Sequence, residues 1–340
     1  MLRVPYDDLY GALLRASEHL GLRGDRAALC ARLFAETTRD GVYSHGLNRF
    51  PRFAQMVANG CVQVDAEPTR ISGAGALERW DGNLGPGNVN AWGTMERTMS
   101  LARQYGIAAI ALANTNHWMR GGSYGWQAAD AGMFAISWTN TLANLPAWGT
   151  ASPVLGNNPL VLAIPHRDGD TSRHIVLDMA MSQFSYGALS SYAARGALLP
   201  IPGGYDQKGE LTRDPAAIEA SKRALPIGYW KGAGLSLALD LIAAMLSGGR
   251  ATHEIPQEPT RESGISQVFI AIDPSALGSR DELDVIAAGV LESLRLAPSL
   301  EPGKPVRYPG EQTMHLREEN MRLGVPVEPD VWKAVQALTF

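Results

Sequence analysis

Ile107-Ala108-Ala109-Ile110-Ala111-Leu112-Ala113 is an unbroken apolar run, and a second one, Met133 to Trp138, follows after a short helical pattern over Tyr124 to Ala131. A strand with one face in water would alternate polar and apolar residues, so continuous runs point to a sheet covered on both faces. The chain therefore reads as α/β, of the α+β type, around a central sheet. Directly after the first run stand Asn114-Thr115-Asn116-His117-Trp118-Met119-Arg120-Gly121-Gly122. Polar residues at the end of a buried strand are typical builders of a site.

On the N-terminal side, Val89 to Tyr105 reads as a helix, preceded by β-like runs at Thr69 to Ser72 and Leu77 to Trp80. Before Pro68 the chain looks all-helical. Leu9, Leu13, Ala16 and Leu20 recur at helical spacing, a second helix runs from Asp25 to Gly41, and a third from Pro51 to Val57. On the C-terminal side, Leu160 to Ile164 and His174 to Leu177 extend the sheet around the polar turn Arg167-Asp168-Gly169-Asp170. Ser185 to Arg195 and Leu235 to Leu246 read as helices, and Gln267 to Ile272 as a late strand. Beyond the linker-like Ala297 to Pro309, with its four prolines, helices resume at Thr313 to Arg322 and Asp330 to Leu338; another precedes it at Arg280 to Leu294. The expected division is a helical subdomain from residues 1–67 and 310–340, a central α/β domain from 68–140 and 250–309, and a third domain from 141–249, with a mixed sheet.

The 340 residues, 45% hydrophobic and 19% charged, carry a formal charge of −4 and no long basic run, which argues against nucleic acid or an anionic membrane surface. Small molecules are the expected partners. Met1 to Asp8 lacks the basic-then-apolar layout of a secretory signal, so the cytoplasm is the expected location. Leu235 to Leu246, interrupted by Asp240, is short for a membrane span and reads as a buried helix. Cys30 and Cys61 have no CxxC spacing and are expected as reduced, buried thiols.

Tyr43-Ser44-His45-Gly46-Leu47-Asn48-Arg49 lies between two helical patterns and sets an imidazole four residues before a guanidinium. An imidazole near its ordinary pKa of roughly 6.5 exchanges protons at neutral pH, and arginine grips a carboxylate at two points. That pairing suits an enzyme acting on an oxo acid, although a loop histidine that only bonds a neighbouring carbonyl and a solvated loop arginine fit the same letters. No metal is expected: there is no HxxxH or HExxH, and His166 and His174 flank a turn where exposure is as natural as ligation. Ser44 and His45 are adjacent, which normally aims side chains apart, and there is no GxSxG elbow, so a hydrolytic triad is poorly supported.

Redox chemistry would need a carrier, because no side chain here supplies a hydride. Gly73-Ala74-Gly75 and Gly232-Ala233-Gly234 each begin a GxGxxG fingerprint without completing it. Met179-Ala180-Met181-Ser182, Tyr229-Trp230-Lys231-Gly232 and Pro309-Gly310-Glu311-Gln312 remain as anion cradles at helix starts, with a surface tryptophan and a solvated lysine an equal reading of the second.

Tyr43-Ser44-His45-Gly46, Asn116 to Trp126, Trp138-Thr139-Asn140, Gly156-Asn157-Asn158-Pro159-Leu160, Asp178-Met179 and Gly228-Tyr229-Trp230-Lys231-Gly232 together resemble the type-2 malate/L-lactate dehydrogenase family, over nearly everything from Tyr6 to Leu338. Gly41 to Phe53 and His117 to Gln127 are especially similar to members that reduce a diketo sugar acid. The resemblance implies a non-Rossmann fold with a mixed, largely antiparallel sheet, NADH (or NADPH) as cofactor, and a homodimer with its site near the subunit interface. It also implies His45 as proton donor, with His117 lining the pocket beside the nicotinamide, and Ser44 and Arg49 on the substrate. Cofactor contacts would fall on His174, Ile175, Val176, Leu177, Asp178, Met179 and Ala180, on Trp230 and Lys231, and on Gly310, Glu311 and Gln312. The turn Arg167 to Arg173 is longer than in those members, and Gly310-Glu311-Gln312 departs from their Gly-His-Glu. The expected reaction is reduction of the C2 carbonyl of a diketo sugar acid or a close 2-oxo acid. Open alternatives are malate, lactate, sulfolactate or ureidoglycolate oxidation, reduction of a cyclic imine acid, a silent sugar-acid binding protein that keeps Arg49 alone, and a hydrolase using Ser44.

Overall fold

A computed structural model describes residues 2–301 and 303–338. Pro302 of the linker-like stretch, and Met1, Thr339 and Phe340 of the expected terminal subdomain, lie outside the described residues. The chain opens with β1 (Leu2–Val4), α1 (Tyr6–His19), α2 (Gly24–Arg39) and α3 (Phe50–Ala58). Leu9, Leu13 and Ala16 on one face of α1 meet Ala27, Cys30, Ala31 and Phe34 of α2, as the helical spacing requires. Phe34, Phe50 and Phe53 close this core, with ring centroids 5.0 to 5.8 Å apart.

The C-terminal elements, α10 (Glu311–Leu323), β15 (Val325–Val327) and α11 (Pro329–Ala337), return to the same core, where Val325, Val327 and Val335 are buried. β1 pairs antiparallel with β15, Leu2 opposite Val327, so the two ends of the chain are tied by backbone hydrogen bonds.

Between the ends runs β2 (Thr69–Ala74), β3 (Leu77–Asp81), α4 (Gly87–Tyr105), β4 (Ile107–Asn116), α5 (Gly122–Asp130), β5 (Phe134–Thr139), the hairpin β6 (Ala143–Pro146) with β7 (Pro153–Gly156), β8 (Leu160–Ile164), the hairpin β9 (Arg167–Asp168) with β10 (Thr171–Ser172), and β11 (Ile175–Met179). There follow α6 (Tyr186–Ala194), β12 (Gly204–Tyr205) paired with β13 (Leu211–Thr212), α7 (Pro215–Ser221), α8 (Trp230–Ser247), β14 (Ser263–Ile272) and α9 (Arg280–Leu296).

Seven strands form one sheet in the order β11-β8-β5-β14-β4-β3-β2. Only the β3–β4 contact is parallel, and the rest are antiparallel. The sheet is thus mixed, largely antiparallel and open. β4 is flanked by β3 and β14 and sandwiched between α4 and α5 on one side, with Met95, Ile110 and Phe269 in that layer, and α8 on the other, with Ala111, Leu239 and Val268. Burial on both faces is what its continuous apolar sequence demands.

α8 corrects one expectation. It starts at Trp230 and spans 18 residues, apolar enough by length and composition to cross a membrane, and it is not buried all round. Ala233, Ser236, Leu239 and Ala243 face the sheet, while Leu237, Leu241, Ile242 and Met245 stand on the open side, Met245 with 74% of its surface exposed. Asp240, in mid-helix, is buried and accepts from Asn140 Nδ2 at 2.8 Å and the Thr252 amide at 3.0 Å. The helix therefore leans one face on the fold and presents an uncharged stripe outward. Cys61, expected buried, is only half-buried, whereas Cys30 is fully enclosed and its thiol is pushed up to about 11 by burial.

Candidate active site

His45 sits where α2 gives way to two successive 3-10 turns, Tyr43–His45 and Leu47–Arg49. Leu47 anchors the loop: its side chain is buried in the N-terminal core and its amide donates to Thr38 Oγ1 at 2.8 Å. A Cβ on Gly46 would lie 2.3 Å from that same hydroxyl, so only glycine lets the loop close against α2. The tight turn also overrides the usual divergence of adjacent side chains. Ser44 Oγ lies 2.9 Å from His45 Nδ1, correcting the expectation that the two point apart, and the contact sets the rotation of the imidazole.

The end of β4 delivers the second imidazole. His117 Nδ1 accepts the Met119 amide at 3.0 Å, a contact made possible by Met119 adopting φ +64°. A neutral imidazole that accepts at Nδ1 carries its proton on Nε2, so His117 presents a donor. The rings of His45 and His117 stack with centroids 5.8 Å apart and planes inclined by 27°. Residues from two distant loops are thereby brought face to face. Both are surrounded by protein yet keep some open surface, as side chains lining a crevice do.

Arg49 and Arg52 stand on the same side. Glu262, at the foot of β14, approaches Arg49 Nη2 at 3.9 Å and Arg52 Nη2 at 3.6 Å, while its other oxygen accepts the Leu142 amide at 3.1 Å. Arg52 is further held by the Pro259 carbonyl. Burial, then the charges of Arg49, Arg120 and Arg52, push the His45 pKa down to about 4, well below the ordinary value the sequence reading assumed. Burial and Arg49 lower His117 as well. Arg49 itself is pushed down to about 10 by burial and by Arg52. The crevice is electropositive, holds neutral imidazoles at pH 7, and suits an anion.

Two residues outside the expected set complete this field. Asp40, at the end of α2, accepts from Arg120 at 2.7 Å, from Arg317 of α10 at 2.7 and 2.9 Å, and from Arg39 at 2.9 Å. Those guanidiniums outweigh its burial and keep the carboxyl well below the usual range. Arg317 also lies over the Trp126 ring, 4.8 Å from its centroid. Glu262 and Asp40 escaped the sequence reading because Arg49 and Arg52 lie far along the chain from Glu262, as Arg120 and Arg317 do from Asp40. Arg120 stood in a quoted motif, but its buried partner was invisible.

The expected cofactor segments converge around β11. The Val176 amide donates to the Pro309 carbonyl at 3.0 Å, and Gly310, at φ +98°, passes so close that a Cβ would sit 3.1 Å from Val176 N. Past the strand, Met181 accepts from the Ile227 amide at 2.9 Å, which brings the start of α8, with Trp230 and Lys231, alongside Met179 and Ala180. Asp178 accepts the Gly122 amide at 2.7 Å; enclosure by protein raises its carboxyl even though it keeps open surface. Trp230 and Lys231 are exposed, and Lys231 has no ion-pair partner among the described residues. Ile175 and Leu177 are half-buried strand residues. Glu311 is engaged by Arg295 at 3.4 Å, and Gln312 by Arg307.

His166 and His174 are buried rather than exposed. His174 Nδ1 accepts the His166 amide at 3.0 Å, its Nε2 lies 3.0 Å from Asp130, and His166 Nδ1 lies 3.1 Å from Asp284. They pin the β9–β10 hairpin to α5 and α9. Among the described residues, no group of three or more histidine, cysteine or acidic side chains is placed to hold a metal. A cleft of about 600 Å³ between α2 and α4 contains none of the residues above, and its guanidiniums are engaged, Arg32 over the Trp92 ring and Arg97 on Glu78.

With this geometry in view, residues 4–336 match the model of the family described as malate/L-lactate dehydrogenase. The chain is 44% identical over 337 residues to 2,3-diketo-L-gulonate reductase of Citrobacter koseri, covering 99% of this chain and 100% of that one. Its fold superposes on the malate dehydrogenase of Pyrococcus horikoshii with a TM-score of 0.89 at 26% identity, over 99% and 94% of the two chains. It matches the sulfolactate dehydrogenase of Methanocaldococcus jannaschii at 0.89 and 23% identity, over 99% and 96%, a likeness of fold alone.

Proposed function

The chain belongs to the malate/L-lactate dehydrogenase family of oxidoreductases, and from that premise we propose that it reduces the C2 carbonyl of 2,3-diketo-L-gulonate to 3-dehydro-L-gulonate, or of a closely related 2-oxo acid, with NADH. The observation that carries the reading is the meeting of His45, His117 and Arg49 in one electropositive crevice. The full-length relative at 44% identity favours the diketo sugar acid over other substrates of the family.

A dinucleotide fits the residues around β11. Gly310 packs its backbone against Val176 and His174, holding the start of α10 to β11, and the first turn of α8 offers the unpaired Lys231 beside the positive end of an 18-residue helix. Asp178 to Ala180, Trp230, Lys231 and Gly310 would hold it. When bound, the reduced nicotinamide supplies the hydride. Arg49 binds the carboxylate, aiming a donor fork that no hydrogen bond among the described residues occupies. As negative charge grows on the C2 oxygen, His45 gives it a proton, while the Nε2–H of His117 donates to the same pocket. Burial first and guanidinium charge second hold the imidazole neutral, and the substrate carboxylate offsets the second, so the anion to be reduced also raises the pKa of its own acid. Ser44 contacts substrate and orients the His45 ring.

The enzyme works in the cytoplasm as a homodimer. The uncharged outer stripe of α8, continuous with the site through Trp230 and Lys231, supports that assembly and a site near the subunit interface. We divide the chain into the terminal helical part, the central sheet domain and a cofactor domain over residues 141–249. The test is a screen of purified protein against a panel of 2-oxo acids with NADH and NADPH, following loss of reduced-nicotinamide absorbance. Turnover of 2,3-diketo-L-gulonate with NADH above the rest is the expected result; no turnover of any 2-oxo acid with either cofactor overturns the reading.

A further inference from the structure

Arg49 and Arg52 place two permanent cations at the substrate anchor, and Glu262, with its side chain 4% exposed, places one anion between them. The neighbouring guanidinium of Arg120 is engaged at 2.7 Å by Asp40, which it shares with Arg39 and Arg317. Arg49, Arg52 and Glu262 together therefore carry one net positive charge. The Glu262 approaches, 3.9 and 3.6 Å, are longer than a charge-assisted hydrogen bond of about 2.7–2.9 Å, so the carboxylate balances charge without occupying the forks. Its other oxygen, held by the Leu142 amide at 3.1 Å, fixes it in place.

We propose that Glu262 is the specificity-determining residue for substrate charge, selecting singly charged 2-oxo acids and rejecting dicarboxylic ones. A single carboxylate brings the anchor to neutrality. A second carboxylate on the same substrate faces Glu262 with no free cation to meet it, and an uncompensated charge in an enclosed site is costly. The inference rests on the oxidoreductase reading above and sharpens its substrate class. Glu262 acts through the two arginines and touches no reacting atom.

The test compares 2-oxovalerate with 2-oxoglutarate, which share a five-carbon chain and differ by one carboxylate. Glu262→Gln keeps an oxygen for the Leu142 amide and removes the charge. It should raise the ratio of kcat/KM for 2-oxoglutarate over 2-oxovalerate by about tenfold or more, carried by KM, and Glu262→Asp should retain the wild-type preference. A ratio within about twofold of wild type, in a Gln variant that still reduces 2-oxovalerate, overturns the proposal. Should the Gln variant not fold, titration of wild-type protein with valerate and glutarate, read by tryptophan fluorescence, decides the matter: tighter valerate binding supports the proposal and equal affinities overturn it. If wild-type protein reduces neither acid, the panel screen with 2,3-diketo-L-gulonate decides the oxidoreductase reading, and the same titration decides the charge preference.

Discussion

His45 and His117 stack at 5.8 Å although they belong to loops at the ends of α2 and β4. Two imidazoles so close, beside Arg49 and Arg52, do not both carry protons, and the Met119 amide already commits His117 to its neutral form with Nε2 as donor. On the proposed mechanism the proton passed to substrate is that of His45. His45→Ala is expected to lower kcat by about 10²- to 10⁴-fold while the affinity for NADH, read by fluorescence titration, stays near wild type. Turnover near the wild-type rate would remove His45 from the chemistry.

Acid stability carries the same signature. In the folded chain the His45 pKa lies at about 4 and in the unfolded chain near 6.5, so between those values the unfolded state binds the extra proton. The contribution is full above about pH 6.5 and is lost as pH falls toward 4. Denaturant titrations at a series of pH values should show a shallower fall over that window for His45→Gln than for wild type; parallel curves would mean that the imidazole titrates normally.

Asp40 is the hub that joins α2, the β4–α5 loop and α10, with its side chain 2% exposed and three arginines on it. Asp40→Asn leaves Arg120 buried without its counter-charge and should cost about 3–5 kcal/mol in equilibrium unfolding. A loss within the scatter of surface substitutions would show that the arginines are satisfied by water.

Much of this architecture is legible in the chain itself, for reasons that differ by element. The apolar runs at Ile107 and Met133 announce two strands because both of their faces are covered. The cap and spacing signals around Asp25, Val89 and Arg280 announce helices whose bounds shift by a few residues at most. The hairpins β6–β7 and β12–β13 escape because their strands are two to four residues long and depend on tertiary contact rather than pattern. The open face of α8 escapes because a helix apolar on all sides looks the same whether one side or both are covered. At the site, His45, Arg49 and His117 stand out as residue types suited to the chemistry, whereas Glu262 and Asp40 acquire meaning only from the arginines that the fold brings to them.

The outer stripe of α8 makes a separate prediction about assembly. On the proposed homodimer, a charge placed there, as in Leu241→Glu, should give a monomer in light-scattering measurements at micromolar protein where wild type gives a dimer, because the carboxylate would be buried without a partner. An unaltered dimer would locate the subunit contact elsewhere.

A crystal structure with bound NADH and an unreactive analogue of a monocarboxylic 2-oxo acid tests the central claim most directly. The carboxylate is expected on the Arg49 fork, with the nicotinamide C4 facing the C2 position and an imidazole nitrogen of His45 about 2.6–3.2 Å from the C2 oxygen. A nicotinamide ring bound away from His45, or turned into bulk solvent, would contradict it.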